Sequence, residues 1–193
     1  MNDMVASALN RWSQALIKAP TTGASADTAS QDGLSAGIAA SQQMAKTDLG
    51  RVMAIADRFR KVGDKFNLPP ALLAAIASRE SRCGNALDQG FGDGGNAFGI
   101  MQIDKRFHDI PIDNDPVSTA HIEQATQILV GFLQQVAANH PTWEDEYLLK
   151  GAAAAYNSGV SNIQTKSGMD TGTTGNDYGS DVMARAQFYA AHL

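Results

Sequence analysis

Residues 70–104, PALLAAIASRESRCGNALDQGFGDGGNAFGIMQID, decide the fold of this chain. Their first half predicts a helix, because Pro70 suits a first helical turn and Asn67 can serve as the N-cap. Their second half holds six of the chain's 18 glycines, from Gly84 to Gly99. Such a density of glycine is typical of tight turns in which backbone segments approach one another closely. The sequence therefore predicts a helix that leads directly into a glycine-rich turn segment.

Both halves of this stretch carry acidic residues whose positions suggest a chemical role. Glu80 lies four residues after Ile76 and so shares the apolar helix face to which Leu72 and Ile76 belong. Burial against such a face raises the pKa of a carboxyl, which suits a general acid near neutral pH. Asp93 and Asp104 have polar, glycine-rich surroundings, where we expect them to be ionised. One protonated carboxyl facing ionised ones across a cleft is the arrangement that hydrolyses glycosidic bonds.

A purely structural interpretation of these acids stands beside the chemical one. Glu80 is flanked by Arg79 and Arg82, and an ion pair with either would make it an ordinary helix-end residue. The glycine-rich segment would then be a surface hairpin. Taken alone, the residues of this stretch leave both interpretations open.

Four motifs, in this order along the chain, resemble those of goose-type (g-type) lysozymes. They are RESRCG from residue 79, GFGDGGNAFGIMQIDKR from residue 90, GAAAAYNSG from residue 151 and DYGSDVMARAQFY from residue 177. The resemblance implies an all-α (α+β lysozyme-like) fold, with about seven helices and a small β hairpin beside the active-site cleft. It also implies a catalytic domain of the goose-type lysozyme or lytic-transglycosylase type at 21–193. Residues 1–20 are then an N-terminal extension, which we predict to be helical.

The resemblance further implies an activity and assigns residues to it. Glu80 matches the general acid, and Asp93 and Asp104 match the acids that hold or activate the attacking water. The implied reaction is hydrolysis of the β-1,4 bond between N-acetylmuramic acid and N-acetylglucosamine in peptidoglycan, with inversion. Inversion leaves room for a water, with about 6.5–9.5 Å between the carboxyl groups. Family positions that line the sugar-binding cleft are matched by Gln102, His108, Tyr156, Asn157 and Tyr178.

Two other functions are compatible with the same motifs. The ES, GIMQ and AYN segments also resemble lytic transglycosylases, in which a single Glu forms a 1,6-anhydro sugar without water. The presence of Asp93 and Asp104 favours hydrolysis over that reaction. A non-catalytic binder of cell-wall glycan is the second alternative, and the intact Glu80 argues against it.

Composition limits the partners of the chain. A net charge of −5 and a sequence pI near 5.2 argue against nucleic acid, since no basic stripe is present. No apolar run is long enough to cross a bilayer. The implied substrate is bacterial peptidoglycan, with chitin-type oligosaccharides as a further candidate. We expect a monomer that serves antibacterial defence or digestion.

Cysteine, histidine and the amino-terminal residues bear on cofactors and localisation. The lone Cys83 can form no disulfide within the chain, and we interpret it as a small buried thiol. The four histidines show no ligand spacing with acids or cysteines, so we predict neither a metal nor another cofactor. The first 20 residues lack the basic start of a secretory signal. Localisation stays open between the extracellular space, which the resemblance favours, and the cytoplasm or an unconventional export route.

The remaining segments are predicted to be mostly helical. Hydrophobic periodicity or capping signals mark helices at 4–18, 38–46, 48–66, 118–139, 142–157 and 176–192. Suitable N-cap side chains for three of them are Asp48, Ser118 and Thr142. The strong amphipathic pattern of 118–139 predicts the central core helix, whereas 20–35 is predicted to be a loop. The small residues at 151–155 should allow close helix packing and present Tyr156 and Asn157 to a cleft.

Overall fold

The structure, a computed structural model, describes residues 11–110 and 115–193. The predicted helix at 4–18 and the predicted extension at 1–20 therefore lie partly outside the described residues. Eight helices lie within the described ranges, and they are α1 (11–18), α2 (Ala26–Ser30), α3 (Ile38–Ala54), α4 (Ala56–Phe66), α5 (Pro70–Ser81), α6 (Thr119–Asn139), α7 (Asp145–Ser158) and α8 (Tyr178–Tyr189). Three two-residue strands follow α5, and they are β1 (Phe91–Gly92), β2 (Ala97–Phe98) and β3 (Ile103–Asp104). The predicted fold class, mostly helical with a small antiparallel element, is confirmed.

The core of the fold is a pair of buried helices, α5 and α8, which pack against each other. Nine of the twelve residues of α5 are buried, and ten of the twelve residues of α8. Helix α6 buries only seven of its twenty-one residues. The prediction that 118–139 is the central core helix was therefore wrong. An amphipathic stripe marks a helix with one solvent face, whereas a segment that is small or apolar all round, such as PALLAAIAS, is buried on every side.

The break between the third and fourth helices falls later than the sequence predicts. Helix α3 continues to Ala54, and the chain leaves helical geometry at Ile55, with φ −125° and ψ 20°. Asp48 is consequently not an N-cap but a fully buried residue within α3. Its carboxylate pairs with Arg51 of the same helix, with Arg82 at 3.1 Å directly after α5, and with Arg185 of α8 at 3.7 Å.

Asn67 ends one helix instead of starting the next. It adopts a left-handed conformation, φ 55°, as the C-cap of α4. Helix α5 begins three residues later with Pro70 in its first turn, as the sequence predicts. Asparagine suits both kinds of cap, so the prediction of an Asn67 N-cap was wrong although the helix start was correct.

The remaining caps agree with the sequence in part. The Ser118 hydroxyl accepts a hydrogen bond from the His121 backbone N–H at 3.1 Å, which confirms the predicted cap of α6. Thr142 caps nothing, because α7 starts at Asp145 with Glu144 as an N-cap that makes no side-chain hydrogen bond. The segment predicted as a loop, 20–35, contains the short helix α2.

The three strands form one antiparallel sheet in the order β1-β2-β3. Gly92 pairs with Ala97, and Ala97 pairs with Asp104, so these three residues form one row across the sheet. Asp93 follows Gly92 directly. The register therefore brings Asp93 and Asp104, eleven positions apart in the chain, to the same end of the sheet.

Helix α6 fixes the turn between β2 and β3 through a histidine. The ring of His121 is buried, and its Nε2 accepts a hydrogen bond from the Met101 backbone N–H at 3.0 Å. Gly99, with φ +73°, passes so close that an added Cβ would lie 2.4 Å from that ring. The glycine is needed here both for its backbone conformation and for the space that it leaves.

Small residues bring α7 and α8 close together, as the sequence predicts. An added Cβ on Gly179 would lie 3.2 Å from the Ala154 side chain and 3.3 Å from the Lys150 carbonyl oxygen. Ala152 to Ala155 are fully buried along this contact. The residues that follow them, Tyr156 and Asn157, are thereby held at the end of a closely packed element.

Helix α1 packs on the far ends of α7 and α8. Arg11 forms an ion pair with Asp145 at the start of α7. The Gln187 amide donates to the carbonyl oxygens of Leu16 and Ala19 at 3.1 and 2.9 Å. Among residues 11–110 and 115–193, no helix combines the length and hydrophobicity that crossing a membrane demands.

Replacing Gly99 with alanine should destabilise the fold. The left-handed backbone and the clash with the His121 ring together should lower the free energy of unfolding by at least about 2 kcal/mol. Chemical denaturation followed by circular dichroism measures this loss. Gly50→Ala is the matched control, since Gly50 is exposed within α3 and its added Cβ meets open space. That change should raise the free energy of unfolding by about 0.5–1 kcal/mol. A Gly99→Ala protein as stable as wild type would show that this position does not require glycine.

Candidate active site

A cleft of about 880 Å³ opens where the end of α5 meets the sheet, α6 and the end of α7. Seven of the eight predicted site residues line it: Glu80, Asp93, Gln102, Asp104, His108, Tyr156 and Asn157. The eighth, Tyr178, does not line the cleft. It is 1% exposed and reaches Glu80 from the first turn of α8. Helix packing and sheet register thus gather residues from four separate parts of the chain around one opening.

Glu80 stands in the last turn of α5 with its side chain half-buried at the cleft. The Tyr178 hydroxyl donates a hydrogen bond to its Oε1 atom. Burial raises the pKa of Glu80 to about 7, although the Tyr178 hydrogen bond and the Arg79 charge both act to lower it. A carboxyl with this pKa is protonated in an appreciable fraction of molecules at neutral pH and can donate its proton.

The two arginines beside Glu80 in the sequence are bound to other acids. Arg79 lies 2.9 Å from Asp181 and 3.0 Å from Asp177. Arg82 lies 2.8 Å from Asp32 and 3.1 Å from Asp48. The interpretation in which Glu80 is merely the ion-pair partner of a neighbouring arginine is therefore wrong.

Tyr178 is held in position by the start of its own helix. The Asp170 carboxylate accepts the Gly179 backbone N–H at 2.6 Å and the Ser180 hydroxyl at 2.7 Å. Lys150 lies 3.3 Å from the same carboxylate. Burial and the Glu80 charge raise the pKa of Tyr178 well above its ordinary value, so its hydroxyl is a stable donor to Glu80.

Tyr156 joins the end of α7 to the turn that follows β2. Its hydroxyl donates to the Met101 carbonyl oxygen at 2.8 Å. Burial, followed by the Glu80 charge, raises the pKa of Tyr156 well above its ordinary value. Tyr156 therefore lines the cleft as a neutral side chain whose hydroxyl is fixed by a hydrogen bond.

Asp93 and Asp104 lie on the sheet side of the cleft. Asp93 begins a left-handed turn in which φ is 47° at Asp93, 59° at Gly94 and 90° at Gly95, and its side chain is 62% exposed. Asp104, at the end of β3, bonds Arg106 through both carboxylate oxygens. The hydrogen bond from Arg106 holds the pKa of Asp104 below its ordinary value, so this group is ionised.

Polar side chains on the cleft walls also bind the protein itself. The Gln102 amide donates to the Gly99 carbonyl oxygen at 2.8 Å. Its Oε1 would lie 2.0 Å from a Cβ on Gly92, so a side chain at that point of β1 would displace the Gln102 amide. The Asn157 Oδ1 accepts the Thr174 backbone N–H at 2.8 Å. His108 is exposed, and its backbone N–H donates to the Asp104 carbonyl oxygen at 3.0 Å.

The cleft contains residues that the sequence analysis did not assign. Among them are Arg106, Phe107, Ile128, Phe132 and Thr174. Arg106 stood inside a quoted motif, two positions after Asp104, but its partners depend on the sheet register. Ile128 and Phe132 belong to the apolar stripe of α6 and were assigned to the core, although both are partly exposed to the cleft. Phe107 is 77% exposed, and nothing in the sequence except its position before His108 indicated that it would line the cleft.

The single cysteine takes no part in this site. Cys83 is free and buried, as predicted, and burial raises the pKa of its thiol to about 12. Within the two described ranges, no cluster of three or more His, Cys, Asp or Glu side chains is arranged to hold a metal ion.

Replacing Tyr178 with phenylalanine should raise the pKa of Glu80 above its present value of about 7. The lost hydrogen bond favours the ionised carboxylate, so its removal leaves the burial penalty less opposed. Carbon-detected NMR titration of the glutamate side chains measures the shift. Tyr189→Phe is the matched control, because Tyr189 also lies on α8 but its hydroxyl donates to the Ala45 carbonyl oxygen of α3 at 2.9 Å and not to Glu80. This change should leave the Glu80 pKa unaltered. An unchanged Glu80 titration in Tyr178→Phe would contradict the assignment.

Comparison with known proteins agrees with this geometry. The family model described as Lysozyme g matches residues 15–192. Lysozyme g of Casuarius casuarius is 44% identical over 177 residues, which cover 89% of this chain and 92% of that protein. Lysozyme G of Dromaius novaehollandiae is 44% identical over 173 residues, covering 89% of this chain and 84% of that one. Lysozyme g of Cyprinus carpio is 44% identical over 178 residues, covering 90% and 93%. The chain therefore belongs to the lysozyme g family.

Proposed function

We propose that this protein is a lysozyme that hydrolyses the β-1,4 bond between N-acetylmuramic acid and N-acetylglucosamine in peptidoglycan, by inversion. Family membership supports the activity. The single observation that carries the mechanism is the cleft in which Glu80, with a pKa of about 7, shares one opening with Asp93 and Asp104. A proton donor and ionised acceptors around the same substrate are what this hydrolysis requires.

Glu80 acts as the general acid. Its carboxyl donates a proton to the glycosidic oxygen as the bond to the sugar's anomeric carbon breaks, and the carboxylate remains. The Tyr178 hydroxyl already donates to Glu80, and this hydrogen bond becomes stronger when its acceptor is charged. Tyr178 thus stabilises the form of Glu80 that the reaction produces.

Asp93 and Asp104 hold the attacking water on the opposite face of the sugar. Their carboxylates accept its hydrogen atoms, one of them takes the proton, and the oxygen bonds to the anomeric carbon. The new hydroxyl then has the inverted configuration. The Asp93 side chain is 62% exposed in its turn, which leaves room for a water between the carboxylates and the sugar.

Gln102, His108, Tyr156 and Asn157 bind the sugars. Amides and imidazole form hydrogen bonds with hydroxyl and N-acetyl groups, and aromatic rings pack on sugar faces. Phe107, exposed at the cleft, offers a further ring for that purpose.

Chitin-type oligosaccharides share β-1,4-linked N-acetylglucosamine with peptidoglycan and should bind the same cleft. The protein should act as a monomer, because one chain supplies every residue named in the mechanism. A role in antibacterial defence or digestion follows from the substrate.

Glu80→Gln should lower the rate at which the protein clears a suspension of bacterial cell walls by at least about 100-fold, the scale expected for loss of a general acid. Turbidity measured against time gives the rate. Glu144→Gln, which neutralises an exposed carboxyl outside the cleft, is the control and should keep wild-type activity. Equal rates for the wild-type and Glu80→Gln proteins would refute the role of Glu80 and leave a glycan binder as the better explanation.

The products should carry the elements of water. Digestion in ¹⁸O-labelled water, followed by mass spectrometry, should place the label at the new reducing end, because the attacking nucleophile is water and not a sugar hydroxyl. NMR of the fresh product should show the α anomer first. Predominant 1,6-anhydro ends without label would identify a lytic transglycosylase and exclude the hydrolytic mechanism.

A further inference from the structure

We propose that Arg106 is a positioning residue of this enzyme, which joins Asp104 and Asp93 into one rigid water-binding wall. The inference rests on the proposed hydrolytic function of the same cleft. Arg106 is the last residue of the motif that begins at Gly90, but none of the roles assigned above includes it. It lines the cleft, yet its charged group points at the two aspartates.

Arg106 bonds Asp104 through both its guanidinium and its backbone N–H, and its Nε contacts both carboxylate oxygens. Its Nη2 donates to Oδ2 at 2.6 Å and its Nε donates to Oδ1 at 2.9 Å. The Arg106 backbone N–H donates to the same Oδ1 at 2.8 Å. A planar guanidinium bonded to both oxygens of a carboxylate fixes the orientation of that carboxylate, which a single hydrogen bond does not.

The same guanidinium reaches Asp93. Its Nη2 lies 3.4 Å from the Asp93 Oδ2 atom. Arg106 is therefore shared by a carboxylate at the end of β3 and a carboxylate on the turn after β1. A cation placed between two carboxylates offsets their mutual repulsion.

The turn that carries Asp93 needs such a tie. The two residues after Asp93 are Gly94 and Gly95, and a Cβ on either would meet open space. They contribute no side chain that could fasten the turn to the rest of the sheet. Arg106 supplies a side-chain link from this turn to β3, at the place where the water must be held.

The charged groups around Asp104 and Arg106 determine how the pH–rate profile should change when Arg106 is replaced. Asp104 is affected by Arg106 and by His108, and Arg106 is affected by Asp104 and Asp93. Loss of the Arg106 charge removes the principal influence that favours ionised Asp104. The acidic limb of the pH–rate profile, where Asp104 becomes protonated, should then move to higher pH.

The test compares steady-state kinetics of wild type with Arg106→Ala and Arg106→Lys on a defined chitin oligosaccharide. In Arg106→Ala, kcat should fall at least tenfold with KM within about threefold of wild type, and the acidic limb should shift upward. Arg106→Lys keeps a positive charge and should restore the acidic limb. It should recover only part of kcat, because an ammonium group cannot make the bidentate bond.

Lys105→Ala is the matched control. It removes the same formal charge from the adjacent position, and the Lys105 side chain is exposed and does not line the cleft. It should keep the kcat, KM and pH profile of wild type. Arg106→Ala that behaves like Lys105→Ala would overturn the inference. So would a raised KM with unchanged kcat, since Arg106 would then bind sugar directly.

A double-mutant cycle separates a positioning role from an independent one. In an Asp104→Asn background, Arg106→Ala should cost little further activity, because its principal partner is already neutral. Fully additive losses would contradict action through Asp104. If the proposed function were wrong, the result would differ, because wild type itself would release no products labelled from ¹⁸O water. An active wild type with an unaffected Arg106→Ala variant contradicts only the role of Arg106.

Discussion

Glu80 follows an arginine in the chain, and the chemistry of the cleft depends on that arginine being bound elsewhere. Arg79 is held by Asp177 and Asp181, both of which belong to the start of α8. The residue after Asp177 is Tyr178, whose hydroxyl reaches Glu80. The same helix start therefore holds the Arg79 guanidinium in ion pairs with other acids and gives Glu80 a neutral hydrogen-bond donor. Burial then outweighs the remaining electrostatic influences on the Glu80 pKa.

This arrangement continues into a buried network that joins α3, α5 and α8. Arg185 bonds Asp181 at 2.9 Å and the Ser78 hydroxyl at 2.9 Å, and Ser78 in turn bonds Asp48 at 2.7 Å. Breaking a buried ion pair by removing one partner typically costs about 3–5 kcal/mol, because the other charge is left uncompensated. The network that frees Glu80 from Arg79 is thus also part of what holds the helical core together. Stability and acid chemistry share these residues.

The sequence predicted a residue's role correctly where that role depends on neighbours in the chain. It failed where the role depends on a partner from a distant part of the chain. Glu80 was found from its spacing to Ile76, and Ser118 was found as the first residue before a periodic helix. Asp48 and Asn67 were misassigned because one residue type serves two purposes. Aspartate can cap a helix or pair with cations brought by other helices, and asparagine can start or end one. Asp93 and Asp104 were proposed through family resemblance, since strands of two residues give no periodicity from which their register could be derived. Arg106 escaped notice for the same reason.

Helix α1 packs on the ends of α7 and α8 that lie away from the cleft. Gln187, which binds the α1 segment, lies nine residues after Tyr178, or about 13 Å further along α8. Arg11 similarly meets the start of α7, whereas Tyr156 and Asn157 stand at its other end. Leu193 follows the α8 end that carries Gln187. A molecule attached to a solid support through Leu193 would therefore be held at a point away from its groove, which would stay accessible to an insoluble glycan too large to diffuse.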